Sequence, residues 1–443
     1  MNGITTTAAK FILSASALTL LVACGGGGDG SSSPTGGGSA NADNCSVVGQ
    51  NEYFLDYMRD DYFWYNDIPN NIDPSDYNSV FELLDAIRSP IDRFSYVLTE
   101  AEYQSRFVDA EYIGFGFATR TLGNRLLLNY VYPDSPAAQA GMQRADEITA
   151  IDGTSVATLI ANGSLNQALG AKNVGVTVEF TWQRPDGTEF TELVSKTEVE
   201  TNTVLAIERF TVGERDVGYY VLNSFIDRTG ADLNNAYDAL MGVDELVIDV
   251  RYNGGGLIRY ANQASSQAAG NNVLGFDFVT LLFNDKNTTN NYTSQFELID
   301  GVRQLDLDRV FVLTTGASCS SSELLINSLK PFIEVVVIGQ PTCGKPVGQS
   351  PQPFCDKRSF VINFETVNAE GEGRYFDGIA PTCQANDNLV ADWGQNGDPL
   401  LDEARFYMLN SSCSAVSAAS SVVKENTEQG RRHPLLEQWA NEF

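Results

Sequence analysis

Residues 316–349 read GASCSSSELLINSLKPFIEVVVIGQPTCGKPVGQ. Two turns rich in small residues enclose a helical stretch from Glu323 to Lys330 and a continuous apolar strand from Val335 to Ile338. Upstream, Val310 to Leu313 is a second buried strand. Leu246 to Val250 is a third, interrupted by Asp249 and followed by Arg251-Tyr252-Asn253-Gly254-Gly255-Gly256 and a helical stretch. Strands alternating with helices predict a mostly parallel sheet with crossover connections. In such sheets ligands bind beyond the carboxyl ends of the strands. The triple glycine, the serine turn and the Gly344-Lys345 loop all fall at those ends, so one edge of the sheet is the candidate site.

Each residue there has an ordinary explanation beside a chemical one. Serines followed by Glu323 are what a capped helix start needs, since serine accepts orphan N–H groups and glutamate favours the positive end of the dipole. The same place sets a nucleophile beside backbone N–H groups able to hold an oxyanion. Lys345 reads first as a surface loop lysine, the usual fate of lysine. To act as a base it needs desolvation to lower its pKa, after which a neutral amine can take a serine proton. The chain has a single histidine, His433, near its end. Ser-His-Asp and Cys-His catalysis and multi-histidine metal sites all need a placed imidazole, so any hydrolytic chemistry must use another base.

Spacing decides between these readings. The 316–349 stretch resembles the active-site region of the C-terminal processing peptidases, or tail-specific proteases. The resemblance makes Ser320 the nucleophile, first serine of a Ser-x-Ser-Glu pattern with Ser321, Ser322 and Glu323. It makes Lys345, 25 residues on, the base, and Gln349 the residue that orients it. The segment Asp249 to Gly256 resembles the family's Asp-Leu-Arg-x-Asn-x-Gly-Gly element. This implies an oxyanion hole from the N–H of Ser321 and of Gly255, with Gly256 the alternative one residue away. Tyr375-Phe376-Asp377-Gly378-Ile379-Ala380-Pro381 resembles the closing Gly-Ile-x-Pro element. Cys319 and Cys343 stand where the family has alanine and an apolar residue, and Pro346 where it has glycine. If Ser320 and Lys345 meet, Cys319 and Cys343 come close enough to bridge, which would fix the two catalytic loops.

Residues 111–200 differ in pattern. Val176, Val178, Phe180 and Trp182 alternate as a half-buried strand, and Arg184-Pro185-Asp186-Gly187 is a turn before another strand. Gly114-Phe115-Gly116-Phe117, then Pro133 to Met142, then Asp146 to Gly153, resemble in that order a PDZ domain of the bacterial protease type, with Ala145 where glycine is usual. Alone, Gly-Phe-Gly-Phe reads equally as a glycine-bearing strand. In the resemblance its N–H groups capture the C-terminal carboxylate of a peptide added as a strand. Before this, Phe54, Met58, Tyr62 and Tyr65, then Val80, Leu83, Leu84 and Ile87, repeat at helical spacing, with Ser79 and Glu82 as a capping box.

The 443 residues carry 43% hydrophobic and 10% aromatic residues, enough for sizeable cores. Against 28 basic residues stand 57 acidic ones, a net charge of -29. That balance argues against nucleic acid, whose phosphates need a basic footprint, and the dispersed acids read as a solvated surface. After Lys10, the apolar run Phe11 to Ala23 is 13 residues, short of the roughly 20 needed to span a bilayer. It ends in Leu21-Val22-Ala23-Cys24, which resembles the lipobox of bacterial lipoproteins, with Cys24 the lipidated residue. Residues 25–43 are a Gly/Ser linker with a reach of about 25 Å.

The six further cysteines, 45, 319, 343, 355, 383 and 413, suit an oxidising compartment and allow 15 pairings. The strand-rich stretch between Cys355 and Cys383 favours that pair. The expected chain is multidomain α+β. It has a signal peptide (1–23), a lipidated cysteine and linker (24–44), an N-terminal helical cap (45–110) and a PDZ-like β domain (111–200). An α/β peptidase core with a mostly parallel sheet (201–415) and a C-terminal tail (416–443) follow.

The function this implies is a lipid-anchored, periplasm-facing serine endopeptidase of the cell envelope. It takes protein substrates with exposed apolar C-termini and needs no metal or organic cofactor. The alternative is a non-catalytic PDZ scaffold lipoprotein, which has no physical need of the Ser320, Lys345 and Gln349 set.

Overall fold

The computed structural model describes residues 44–298, 301–415, 436, 438, 439 and 441–443. The expected signal peptide, Cys24, most of the linker and His433 lie outside them. No described helix is long and apolar enough to cross a membrane.

The core sheet has six strands in the order β1 (Val204–Val212), β2 (Arg215–Leu222), β3 (Glu245–Asp249), β4 (Arg309–Thr314), β5 (Glu334–Gly339) and β6 (Cys383–Gln384). Only the β1–β2 pair is antiparallel; β2 to β6 run parallel. The apolar runs seen in the sequence are strands buried on both faces, as parallel sheets require. Alternate residues sort cleanly. Leu246, Ile248, Val310, Val312 and Val337 pack against core helices α1 (Thr229–Ala239), α2 (Ile258–Ala269) and α3 (Ser321–Leu329). Val247, Phe311, Leu313, Val336 and Ile338 face α4 (Pro399–Asn410) and residues of the PDZ-like domain, among them Leu127, Tyr130 and Tyr132.

That domain is entered and left through one antiparallel pair, Glu111–Gly114 with Thr197–Glu200. Its strand Thr177–Gln183 buries Val178, Phe180 and Trp182 on one face, with the expected period of two. Ala145, where glycine is usual, adopts a left-handed φ of 71° and is buried.

The N-terminal helices Val47–Asp61 and Val80–Ile87 bury Phe54, Met58, Val80, Leu83, Leu84 and Ile87 against Val347, Phe354, Val361 and Ile362; the first helix ends before Tyr62, which is buried, and Tyr65, which is only half-buried in a short turn. The helices therefore cover the segment that follows the candidate lysine. Ser79 caps the second helix by accepting from Glu82 N–H at 3.2 Å. The Glu82 carboxylate reaches back to Asn78 N–H instead of Ser79, so the expected capping box is displaced by one residue. The strand Tyr96–Thr99 then pairs with Lys357–Phe360, stitching cap to core.

The disulfides are Cys45–Cys355, Cys319–Cys343 and Cys383–Cys413. The expected Cys355–Cys383 pair is corrected. Cys355 is taken by the first cap residues, and Cys383 in the edge strand β6 by the end of α4. Cys45 lies 310 residues from Cys355, and Cys413 lies 30 residues from Cys383, about as near as Cys355, so strand content between cysteines does not choose the partner.

Core and PDZ-like domain also share a buried charge cluster. The Arg251 guanidinium, wholly buried, meets Asp249 at 2.6 Å, Asp398 at 2.8 Å and Asp387 at 3.1 Å. Arg144 and Arg120, from the PDZ-like domain, meet Asp387 at 2.5 and 2.7 Å. Burial alone would raise the Asp387 pKa, but Arg144, Arg251 and Arg120 hold it well below the usual carboxylate range. Removing one member of such a cluster strands the others. Arg251→Met is expected to lower the unfolding free energy in urea by about 3–5 kcal/mol. The same change at the exposed Arg209–Asp216 pair is expected to cost less than about 1 kcal/mol.

Candidate active site

The carboxyl ends of β3, β4 and β5 lie side by side, with Asp249 opposite Leu313 and Thr314 opposite Gly339. Each strand delivers one loop to the same edge. The loop after β4 is pinned beneath the loop after β3. Ser318 Oγ donates to Val250 O at 2.8 Å, Cys319 N–H to Asn253 O at 3.0 Å, and Ser322 Oγ to the same carbonyl at 3.0 Å.

Ser320 stands at the entrance to α3 with φ +55°, a conformation that costs a non-glycine residue energy and persists only where neighbours enforce it. Glu323 is the chief enforcer. Its carboxylate, wholly buried, accepts from Ser320 N–H at 2.8 Å and then from the loop after β5: Thr342 Oγ1 at 2.5 Å, Gly344 N–H at 2.7 Å and Lys345 N–H at 2.9 Å. Burial raises the Glu323 pKa, and these four donors oppose it. One side chain therefore fixes the serine loop against the lysine loop. The Cys319–Cys343 disulfide makes the same tie covalently. Gly344 has φ +84°, and a Cβ there would sit 2.2 Å from Phe376 O, so only glycine brings the loop this close.

Lys345 is 3% exposed. Its Nζ donates to Gln349 Oε1 at 2.8 Å, and Gln349 Nε2 donates to Phe94 O at 2.9 Å, so a cap residue holds the amide that holds the lysine. Desolvation lowers the Lys345 pKa to about 7, against the charges of Asp92 and Glu323, which pull it upward. Ser320, Ser321, Lys345, Gln349 and Gly256 line one cavity of about 50 Å³.

Gly255 abuts the serine, since a Cβ on it would lie 2.7 Å from Ser320 Cβ. Its N–H, however, donates to Asn253 Oδ1 at 2.9 Å. In this conformation that donor is engaged within its own loop, and Gly256 is the glycine lining the cavity. In the Gly114 to Phe117 loop, the N–H groups of Gly116 and Phe117 point at Phe443 O, at 2.9 and 3.3 Å. Phe115 and Phe117 themselves are core side chains of the PDZ-like domain.

Four contributors are not legible as such in the sequence. Glu323 reads as a helix-start acid, Thr342 carries no signal, and Asp92 and Phe94 belong to a segment that looks like cap alone. The Ser-x-Ser-Glu pattern could have flagged Glu323, because an acid three residues into a helix can reach back to the cap N–H. Glu323→Gln exchanges one of two acceptor oxygens for a donor facing N–H groups. It is expected to destabilise the fold by about 2–3 kcal/mol in chemical denaturation and to lower turnover more than tenfold at a temperature where the variant stays folded.

The chain matches Peptidase family S41 over residues 216–385, the Peptidase S41 N-terminal domain over 49–96 and a PDZ domain over 128–179. It is 25% identical over 305 residues to the carboxy-terminal processing protease CtpB of Bacillus subtilis, covering 68% of this chain and 60% of that protein. To CtpA of the same organism it is 22% identical over 345 residues, covering 76% and 69%. A crystal structure from Bacteroides fragilis assigned as an S41 protease superposes with a TM-score of 0.68 at 25% identity. It covers 81% of this chain and 97% of that one. The chain spans about 60% of the length of the first of these relatives. The N-terminal, PDZ and catalytic-type regions of peptidase family S41 are thus matched in order along the chain, which is similar to the carboxy-terminal processing proteases.

Proposed function

We propose that the protein is a serine endopeptidase that uses Ser320 and Lys345 as a catalytic dyad on proteins presented by their C-terminal ends. The observation that carries this reading is the buried Lys345 amine, with its pKa lowered to about 7, in the same cavity as a strained serine at a helix start. A lysine so placed is half neutral near physiological pH and can accept a proton, which a solvated lysine cannot.

The course is acyl transfer. A substrate C-terminus docks as an added strand at Gly116 and Phe117, and the chain extends to the cavity. Neutral Lys345 takes the Ser320 hydroxyl proton as Oγ attacks the scissile carbonyl carbon. The oxyanion is held by the Ser321 N–H and by a glycine N–H of the triple-glycine loop. Gly255 serves if its turn with Asn253 opens, and Gly256 otherwise. The lysine ammonium returns the proton to the leaving amine. Water, deprotonated by the same amine, then attacks the acyl carbon, the acyl–Oγ bond breaks, and the ammonium returns the proton to Ser320 Oγ. Gln349 orients the amine and does not react. The lipobox-like start and the long linker support an envelope enzyme tethered at a membrane and facing the periplasm, acting on proteins with exposed apolar ends.

Ser320→Ala and Lys345→Ala are each expected to abolish cleavage of an unfolded protein ending in apolar residues, followed by mass spectrometry, while melting as the parent does. Gln349→Ala is expected to keep measurable turnover. Substantial cleavage by Lys345→Ala removes the lysine from the mechanism, and tail binding without cleavage by the parent supports the scaffold reading. Because the base must be neutral, kcat is expected to rise with pH through a midpoint near 7 and to level off above it. A flat profile between pH 6 and 8 contradicts this.

A further inference from the structure

The PDZ groove is already filled. Phe443 O accepts from Gly116 and Phe117, Phe443 N–H donates to Phe117 O at 2.9 Å, and Thr119 N–H donates to Asn441 O at 3.1 Å. Ala118 and Glu442 form an antiparallel bridge. The chain's own last residues are thus an added strand, with the Phe443 ring against the domain core and 6.4 Å from Phe117.

Beneath this strand is a site shaped for an acidic side chain. Glu442 is 1% exposed, and its carboxylate meets Arg106 Nη1 at 2.6 Å, Tyr132 OH at 2.8 Å and Tyr130 OH at 2.9 Å. A guanidinium and two phenols converge on one carboxylate. A buried basic or apolar residue there would leave them unpaired. Further back, the Trp439 ring packs edge-on against Phe107 at 5.3 Å. Gln438 Oε1 accepts from Gly254 N–H at 3.1 Å, and its Nε2 donates to Asn223 O at 3.1 Å. The described residues therefore reach both the carboxylate loop, through Phe443, and the glycine loop of the candidate active site, through Gln438.

We propose that the groove selects C-termini with a glutamate before a terminal aromatic residue, and that Asn441, Glu442 and Phe443, backed by Gln438 and Trp439, are its resident ligand, which such a C-terminus must displace. This deepens the reading of the groove as a C-terminus receptor and rests on it. A tethered ligand acts at an effective concentration in the millimolar range, so it masks the groove from any free peptide of lower concentration. The protease with its tail seated is self-occupied, and the contact at Gly254 holds the neighbouring glycine loop in the turn that engages Gly255 N–H.

The test uses the full chain carrying Ser320→Ala, so that binding is read without turnover. The probe is a fluorescein-labelled peptide, Leu-Glu-Gln-Trp-Ala-Asn-Glu-Phe, followed by anisotropy. Against the unaltered tail it is expected to bind at least tenfold more weakly than against Glu442→Lys or against a chain lacking residues 436–443. Extending the chain by two aspartates after Phe443 leaves every folded contact residue in place and is expected to give the same gain. The same peptide with lysine in place of its glutamate is expected to bind the unmasked chains at least tenfold more weakly. Equal affinity for masked and unmasked chains overturns the resident ligand, and equal affinity of the two peptides overturns the acidic preference. Neither result bears on the dyad, whose failure shows separately as cleavage that does not depend on Ser320.

Discussion

The buried carboxylate of Glu323 is the constraint on which the site depends. A carboxylate taken out of water is costly unless donors replace the lost hydration. Here four donors from two loops do so, three of them backbone N–H groups. Because those loops leave neighbouring parallel strands, satisfying the carboxylate is the same act as bringing Ser320 and Lys345 to one cavity. The positive φ of Ser320 and the close approach at Gly344 are conformations that the chain would not hold unaided.

The lysine is tuned by a different part of the chain. Its amine is desolvated by the cap and by the strand Val347–Gln349, and oriented through Gln349 to Phe94. Assembly of the base therefore requires the N-terminal helices to be docked, and Cys45–Cys355 closes that docking covalently. On the opposite face of the sheet, Arg251 sits at the root of the triple-glycine loop and shares Asp387 with two arginines of the PDZ-like domain. The groove that receives a chain end and the loop beside the serine are thus parts of one packed unit.

Much of this was legible in the sequence because it is local. Buried parallel strands announce themselves as apolar runs, and the serine and lysine loops keep a fixed spacing around β5. The cap helices carry their period in Phe54, Met58, Val80 and Leu84. What was not legible is long-range partner choice. Cys355 pairs across 310 residues with Cys45, which no local pattern encodes. Phe94 supports Gln349 across 255 residues. Glu442 meets a guanidinium 336 residues away, so a stretch that reads as a tail carries a buried ion pair. Glu323 was visible as a residue but not as a clamp, because its hydrogen-bond partners belong to another strand's loop.

Catalysis of the proposed kind requires that the fold make Lys345 a neutral amine near physiological pH. That requirement is tested most directly by titrating that amine in chain labelled with 15N at the lysine side chains, using Lys345→Arg to assign its signal. This one signal is expected to titrate with a midpoint near 7, far below an ordinary lysine. A Lys345 amine that remains protonated above pH 9 contradicts the account.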